Sequence, residues 1–254
     1  MKSSMPLPAR LTVLAAKTTG GASLLGFILF LLIGPVRVFQ FASTTASALL
    51  LDGLLCGAFF VQHSGMVRRS FQDRIARYVR RPYIPAIYTI ASGLALGVLL
   101  VAWQPTALVI ASAGGPFRWA VRSLAVVAVV VFVAGVRALG HFDPFGVRPI
   151  EVMSSGRQPR QVPLTIRGPY GWVRHPLYSA MLLLIWSYPE LTADRLLFNV
   201  AWTTWIVVGT ILEERDLVSV FGAEYRRYQR HVPMLIPVRV APFQNGRVAD
   251  RDEE

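Results

Sequence analysis

Two short polar stretches carry the residue types that could hold a small charged ligand. The first is GPYGWVRHPLY, residues 168–178, and the second contains the adjacent carboxylates Glu213 and Glu214. Pro176 suits the first turn of a helix, where its missing N–H costs nothing, and the free N–H groups of that turn favour an anion. The two glutamates can receive a cationic amine. Together these groups predict a site for a zwitterion with a carboxylate and an ammonium group.

Three side chains around Pro176 add hydrogen-bond donors to this site. Arg174 and Tyr178 are four residues apart, and His175 and Tyr178 are three apart. Residues at these spacings share one face of a helix. The spacing therefore predicts that all three side chains reach the same ligand.

Two apolar segments must position these clusters. Residues 196–212 lead directly to the two glutamates, and the apolar run 176–189 follows the first cluster. That run is shorter than the roughly 20 residues needed to cross a bilayer, so its helix is predicted to be tilted or to dip partway. The turn 187–195 between the segments predicts a helical hairpin that returns both clusters to one membrane face.

The composition of the whole chain is typical of a polytopic membrane protein. Of the 254 residues, 54% are hydrophobic, the mean hydropathy is +0.47, and the charges cluster between long apolar runs. Further spans are predicted near residues 21–36, 45–62, 84–103 and 119–139. The predicted fold is an all-α integral membrane protein with about six membrane helices, of which the last two form the hairpin.

The basic residues predict an orientation. If both termini are cytoplasmic, most of the 26 Lys and Arg residues fall on the inner side, as the positive-inside rule requires. This predicts a multi-pass membrane protein with its site facing the cytoplasm. The net charge of +12 is then explained by anionic headgroups, so the lipid bilayer is a predicted partner and nucleic acid is not.

The two clusters resemble the paired motifs of the isoprenylcysteine carboxyl methyltransferase superfamily, which consists of integral membrane enzymes that bind S-adenosylmethionine. The match lies in the RHPLY string that begins at Arg174, and in Glu213 and Glu214 with the residues that follow them. The strings FFVQHSGMVRRSF (59–71) and GHFDPFGVRP (140–149) are similar to the NnrU-type and methanethiol S-methyltransferase branch.

This resemblance implies a fold, a cofactor and an activity. The expected reaction is transfer of a methyl group from S-adenosylmethionine to a small thiol, with methanethiol giving dimethyl sulfide. The cofactor-binding residues that the resemblance implies are Leu164, Thr165, Tyr170, Arg174, His175, Pro176, Leu177, Tyr178, Glu213 and Glu214. Prenylcysteine enzymes carry an arginine four residues before the cofactor glutamate, and Gly209 stands at that position here.

Two alternatives stay open beside this activity. One keeps the enzyme class but changes the acceptor to another thiol or to a lipid-soluble nucleophile. The other is a non-catalytic NnrU-type membrane protein linked to denitrification or haem handling. The intact pairing of Arg174, His175 and Glu213 favours the enzyme, since a scaffold has no need of it.

Histidines near the ends of the predicted spans are the candidates for acting on the acceptor. His63 ends the second predicted span and His141 the fourth, and both are predicted to be catalytic. A divalent metal ion held by His63 and His141, with Asp143 nearby, would activate a thiol. The other interpretation is that these histidines contact the cofactor or each other without a metal.

The remaining predictions concern domains and packing. Residues 1–20 are predicted to be a cytoplasmic segment, residues 21–243 the methyltransferase domain with its cofactor module at 160–235, and residues 244–254 a disordered tail. Cys56 and Asp52 are predicted to be buried for structural reasons. Trp103 and Trp202 are predicted to belong to the aromatic belt at the membrane interface.

Overall fold

The computed structural model describes residues 5–157, 164–238 and 241–243, and most of them are helical. The helices are α1 (Leu7–Ile33), α2 (Thr45–Val67), α3 (Arg69–Ile75), α4 (Ile84–Ala102), α5 (Gly115–Leu139), α6 (Arg148–Ser154), α7 (Pro176–Ile185), α8 (Ala193–Phe221) and α9 (Ala223–His231). Short 3-10 helices occupy Arg81–Tyr83 and Gly168–Gly171. The predicted tail at 244–254 and positions 160–163 of the predicted cofactor module lie outside the described residues.

Five helical segments are long and apolar enough to cross a membrane within the described ranges. They are Leu7–Ile33, Thr45–Val67, Arg81–Ala102, Gly115–Leu139 and Ala193–Phe221. Helix α7 is apolar but has only 10 residues, as the short run in the sequence predicts. The structure is consistent with an all-α integral membrane protein, with five long helices and the short α7 that the sequence predicts.

The chain forms two compact units. Within the described ranges, the first contains residues 5–112, 143–157 and 190–202, and the second contains residues 113–142, 164–189, 203–238 and 241–243.

In the first unit, α1 packs along α4, and small residues allow the close approach. A Cβ atom added to Gly93 would lie 3.0 Å from the backbone oxygen of Thr19. Ala9 and Ala16 are fully buried against Ala86 and α6. This packing explains why α1 begins at Leu7, well before the span predicted to start near residue 21.

A buried polar network holds one end of the first unit together. Asp52 accepts a hydrogen bond from the backbone N–H of Gln104 at 2.9 Å, which confirms its structural role. Asp194 accepts bonds from Trp103 Nε1 (3.1 Å) and from the hydroxyl of Thr106 (2.7 Å). Arg195, which is 1% exposed, donates to the backbone oxygens of residues 30 and 31 and so caps the C-terminus of α1.

Two tryptophans correct the prediction of an interfacial belt. Trp103 has no exposed surface, and Trp202 is 4% exposed. Trp202 stacks on Phe27, with ring centroids 4.7 Å apart, and on Phe59 at 5.3 Å. Both indoles are core residues, because the indole N–H of Trp103 finds an internal acceptor and aromatic rings surround Trp202.

Two strands were missed by the sequence analysis. Strand β1 (Val109–Ser112) pairs antiparallel with β2 (Glu190–Thr192) in the first unit. All four residues of β1 are exposed, so the strand has no buried face to produce the alternation of apolar and polar residues.

In the second unit, α7 packs closely on α5. Gly135 on α5 makes room for Leu177, since a Cβ atom at position 135 would lie 2.8 Å from a methyl carbon of that leucine. The contact fixes the start of α7, where the first polar cluster lies.

Candidate functional site

The first polar cluster is held in place by backbone bonds to the segment after α9. The N–H groups of Arg174 and His175 donate to the backbone oxygens of Pro233 (2.9 Å) and Met234 (3.1 Å). Pro176 is the first residue of α7, as predicted. These two bonds join the residues preceding α7 to the segment after α9.

A cavity of about 430 Å³ opens beside this cluster, within the second unit. Its size falls in the usual range of roughly 300–1,000 Å³ for small-molecule sites. The cavity is lined by Leu139, Phe142, Leu164, Thr165, Tyr170, Arg174, His175, Pro176, Leu177, Tyr178, Glu213, Leu217, Phe221, Tyr225 and Tyr228. Most of these side chains are apolar or aromatic, with a few polar groups among them.

The two adjacent glutamates have different surroundings. Glu214 is 8% exposed and is not among the residues that line the cavity. It accepts two bonds from the guanidinium of Arg174, Nε–Oε1 at 2.5 Å and Nη2–Oε2 at 2.8 Å. Gln229 donates to it at 2.9 Å, and His175 Nε2 lies 3.2 Å from Oε1. We call Glu214 with these three partners the Glu214 network.

Arg174 extends the Glu214 network to the end of α9. Its Nη1 donates to the backbone oxygens of Gln229 (3.1 Å) and Val232. The guanidinium therefore connects the start of α7, the middle of α8 and the last turn of α9. Bidentate bonds and buried charge make such a pair costly to break.

Glu213 faces the cavity and accepts a hydrogen bond from another lining residue. The phenol of Tyr178 donates to Oε2 at 2.7 Å. Within the described ranges, Glu213 forms no ion pair, so its negative charge is available to a cationic ligand.

Three tyrosines add neutral aromatic faces to the cavity. Burial, and next the charge of Glu213, raise the pKa of Tyr170 to about 12. Burial likewise raises the pKa values of Tyr225 and Tyr228 above their ordinary range, and the nearby negative charge of Glu214 adds to the effect at Tyr225. Tyr228 donates to the backbone oxygen of Tyr170. All three rings stay uncharged at neutral pH and can stack on a cation.

The structure brings together nearly all of the residues that the resemblance assigned to the cofactor. Leu164, Thr165, Tyr170, Arg174, His175, Pro176, Leu177, Tyr178 and Glu213 line the cavity, whereas Glu214 does not.

Among the lining residues that the sequence analysis did not assign to the cofactor, two lie at the end of α5 and just after it. Leu139 is the last residue of α5, and Phe142 stands three positions further on. Phe142 belongs to the string GHFDPFGVRP, directly after the candidate catalytic residue His141. The spacing gave no signal, because Leu139 is one of many apolar residues of α5 and Phe142 lies beyond the end of that helix.

The two predicted catalytic histidines have separate surroundings. His63 belongs to the first unit, where the hydroxyl of Tyr88 lies 2.5 Å from its Nε2 and the ring of Phe59 lies alongside. His141 belongs to the second unit and is not among the lining residues, although Phe142 is. Among the described residues, no group of three or more His, Cys, Asp and Glu side chains is arranged to hold a metal ion. The predicted metal at His63 and His141 therefore gains no support.

Among the known proteins similar to this chain are several methanethiol S-methyltransferases. The methanethiol S-methyltransferase of Pseudomonas deceptionensis is 37% identical over 201 residues, which cover 75% of this chain and 73% of the relative. Methanethiol S-methyltransferase 1 of Bradyrhizobium diazoefficiens is 34% identical over 224 residues, covering 85% and 76%. The Mycobacterium tuberculosis methanethiol S-methyltransferase is 32% identical over 200 residues, covering 77% and 81%. No protein-family model matches the chain, and no solved structure matches it significantly.

Proposed function

The chain belongs to the methanethiol S-methyltransferase family, and from this premise we propose that it transfers a methyl group from S-adenosylmethionine to methanethiol, forming dimethyl sulfide. The observation that carries the proposal is the cavity of the second unit, in which Glu213 presents a carboxylate among neutral aromatic rings. S-Adenosylmethionine carries two positive charges, an ammonium and a sulfonium, and both suit such a lining.

Different residues of the cavity would bind different groups of the cofactor. Glu213 would receive the ammonium group, oriented by the phenol of Tyr178. The faces of Tyr170 and Tyr225 would lie against the cationic sulfur or the adenine ring. Arg174 lines the cavity but already donates to Glu214 and to two backbone oxygens, so it has little capacity left for the carboxylate of the cofactor. Arg174 thus acts mainly by fixing the shape of the site.

When bound, S-adenosylmethionine would supply a methyl group on its positively charged sulfur; the thiolate would accept that methyl group, and S-adenosylhomocysteine would leave. The chain contributes alignment and exclusion of water, because Leu139, Phe142 and Leu177 give the cavity an apolar wall suited to a small apolar thiol. The thiol must first lose its proton, since the thiolate is the nucleophile. His63 and His141 stay the predicted acceptors of that proton, and their substitution tests the prediction.

The charge distribution supports a site on the cytoplasmic face of the bacterial inner membrane. With both termini inside, which requires the short α7 to complete a sixth crossing, most of the basic residues flank the cytoplasmic ends of the candidate spans. S-Adenosylmethionine is a charged, water-soluble molecule, so a site open to the cytoplasm can take it up directly. This orientation is part of the proposal.

Headspace gas chromatography of the purified protein in detergent tests the proposed reaction. Methanethiol and S-adenosylmethionine together should give dimethyl sulfide, and omission of either should give none. With ethanethiol, ethyl methyl sulfide would show whether the acceptor site tolerates one more carbon. His63→Ala and His141→Ala should each lower the rate without weakening cofactor binding. If the wild-type protein binds the cofactor but methylates no thiol, the proposed acceptor is wrong.

A further inference from the structure

The connection between α2 and the next candidate span contains a cluster of arginines. Helix α2 ends at Val67, and the span Arg81–Ala102 follows. We call residues 68–81 the arginine segment. A connection this short between two membrane-crossing helices must lie at the membrane surface, because neither end can move away from it. Its side chains are therefore within reach of lipid headgroups.

All six arginines of this segment are exposed, and most have no partner. They are Arg68, Arg69, Arg74, Arg77, Arg80 and Arg81. The one acidic residue, Asp73, pairs with Arg81, Nη2–Oδ1 at 3.1 Å. The other five guanidinium groups make no ion pair or hydrogen bond with the described part of the chain. Five unpaired cations side by side repel one another, and the described part of the chain supplies no counter-charge for them.

The apolar residues of the segment fit the same surface. On α3, Phe71 and Ile75 are four residues apart and half buried, so they share one face of the helix, while Arg69 and Arg74 are exposed. Tyr78 is 84% exposed, and an exposed tyrosine is typical of the headgroup region. A short amphipathic helix with arginines and a tyrosine matches an interfacial segment.

We propose that the arginine segment binds the headgroups of anionic phospholipids such as phosphatidylglycerol. The arginine fork donates two parallel bonds to phosphate oxygens, and five unpaired forks can hold several phosphodiesters. A membrane is favoured over a nucleic acid as the source of these phosphates, because the segment joins two spans and the nearest phosphates are those of the bilayer. The inference does not depend on the proposed reaction.

Native mass spectrometry of the full-length protein in detergent tests the proposal. Equal amounts of phosphatidylglycerol and phosphatidylcholine are added, and the ratio of protein carrying each lipid is measured. We expect the wild-type protein to prefer phosphatidylglycerol. The triple substitution Arg69→Gln, Arg74→Gln and Arg77→Gln should lower this preference about tenfold or more, as expected for basic residues at an anionic surface.

A matched variant separates the segment from the overall charge. Arg215→Gln, Arg226→Gln and Arg230→Gln remove the same charge from exposed positions on α8 and α9. This variant should keep most of the preference for phosphatidylglycerol. An equal loss in both triple variants, or no loss in the first, would overturn the proposal.

Two further measurements keep the test valid if the first variant folds poorly. The substitution of Arg69, Arg74 and Arg77 by lysine keeps the charge and should retain most of the preference. In the wild-type protein, the preference should fall as salt is raised, because screening weakens exposed charge contacts. A preference that is indifferent to salt in the wild-type protein would also contradict the proposal.

Discussion

Glu213 and Glu214 are adjacent residues of the same type, but they lie in different surroundings within the second unit. Glu214 lies in the Glu214 network, where an arginine, a glutamine and a histidine surround a carboxylate that is 8% exposed. Glu213 lies on the cavity wall, where one phenol donates to it. The carboxylate of Glu214 stabilises the fold, and that of Glu213 is available to a ligand. Carboxylates at a functional site thus serve two purposes, and their partners rather than their residue type distinguish them.

Removing the charge of Glu214 should have the largest effect on stability. Glu214→Gln leaves the buried guanidinium of Arg174 without a counter-charge and should lower the free energy of unfolding by about 3–5 kcal/mol. Thermal unfolding of the purified protein in detergent measures this. Asp216→Asn removes an exposed carboxylate from the same helix and should leave the melting temperature unchanged. If Glu214→Gln melts like the wild-type protein, the network does not hold α7, α8 and α9 together.

A smaller effect, on cofactor binding, is expected when the hydrogen bond between Tyr178 and Glu213 is removed. Tyr178→Phe removes the phenol that orients the carboxylate and should weaken cofactor binding by about 3- to 10-fold, as expected for one hydrogen bond. Because Tyr178 is 37% exposed, the melting temperature should change little. Binding of radiolabelled S-adenosylmethionine measures the first effect. A large fall in the melting temperature with unchanged binding would assign Tyr178 to the fold instead.

A still smaller effect is expected in the melting temperature at alkaline pH. The pKa of Tyr170 is raised from 10.0 in the unfolded reference to about 12 in the folded protein, by burial and then by the charge of Glu213. The folded state therefore holds this proton more tightly, so the contribution to stability is complete below about pH 10 and is lost as pH rises towards 12. Melting temperatures measured across this range should fall less steeply in Tyr170→Phe. An identical pH profile in the variant would contradict the assignment.

The sequence predicted the cavity well because its motifs are local. The spacing of Arg174, His175 and Tyr178 around Pro176 sets the start of α7, and the structure places all four residues at the cavity. Arg174 and His175 precede α7, so the expected sharing of one helical face does not apply to them, but their nearness in sequence to Pro176 still places them at the cavity.

The different roles of the two glutamates could not be predicted in the same way. Adjacent residues on a helix point about 100° apart, so only one of Glu213 and Glu214 can face the cavity fully. Which one does so depends on how α8 is rotated, and Glu214 is held on its side by Arg174, which lies 40 residues earlier in the sequence. The burial of Trp103 was missed for a related reason, since its partner Asp194 is distant along the chain.

The most direct test of the central claim is the affinity of Glu213→Gln for S-adenosylmethionine. Binding of the radiolabelled cofactor to the purified protein gives the dissociation constant, and the melting temperature without cofactor is measured in parallel. The account predicts that Kd rises about 10- to 100-fold, as expected for losing a charge-assisted hydrogen bond, while the melting temperature stays at the wild-type value. An unchanged Kd would contradict the claim that Glu213 is the carboxylate that receives the ligand.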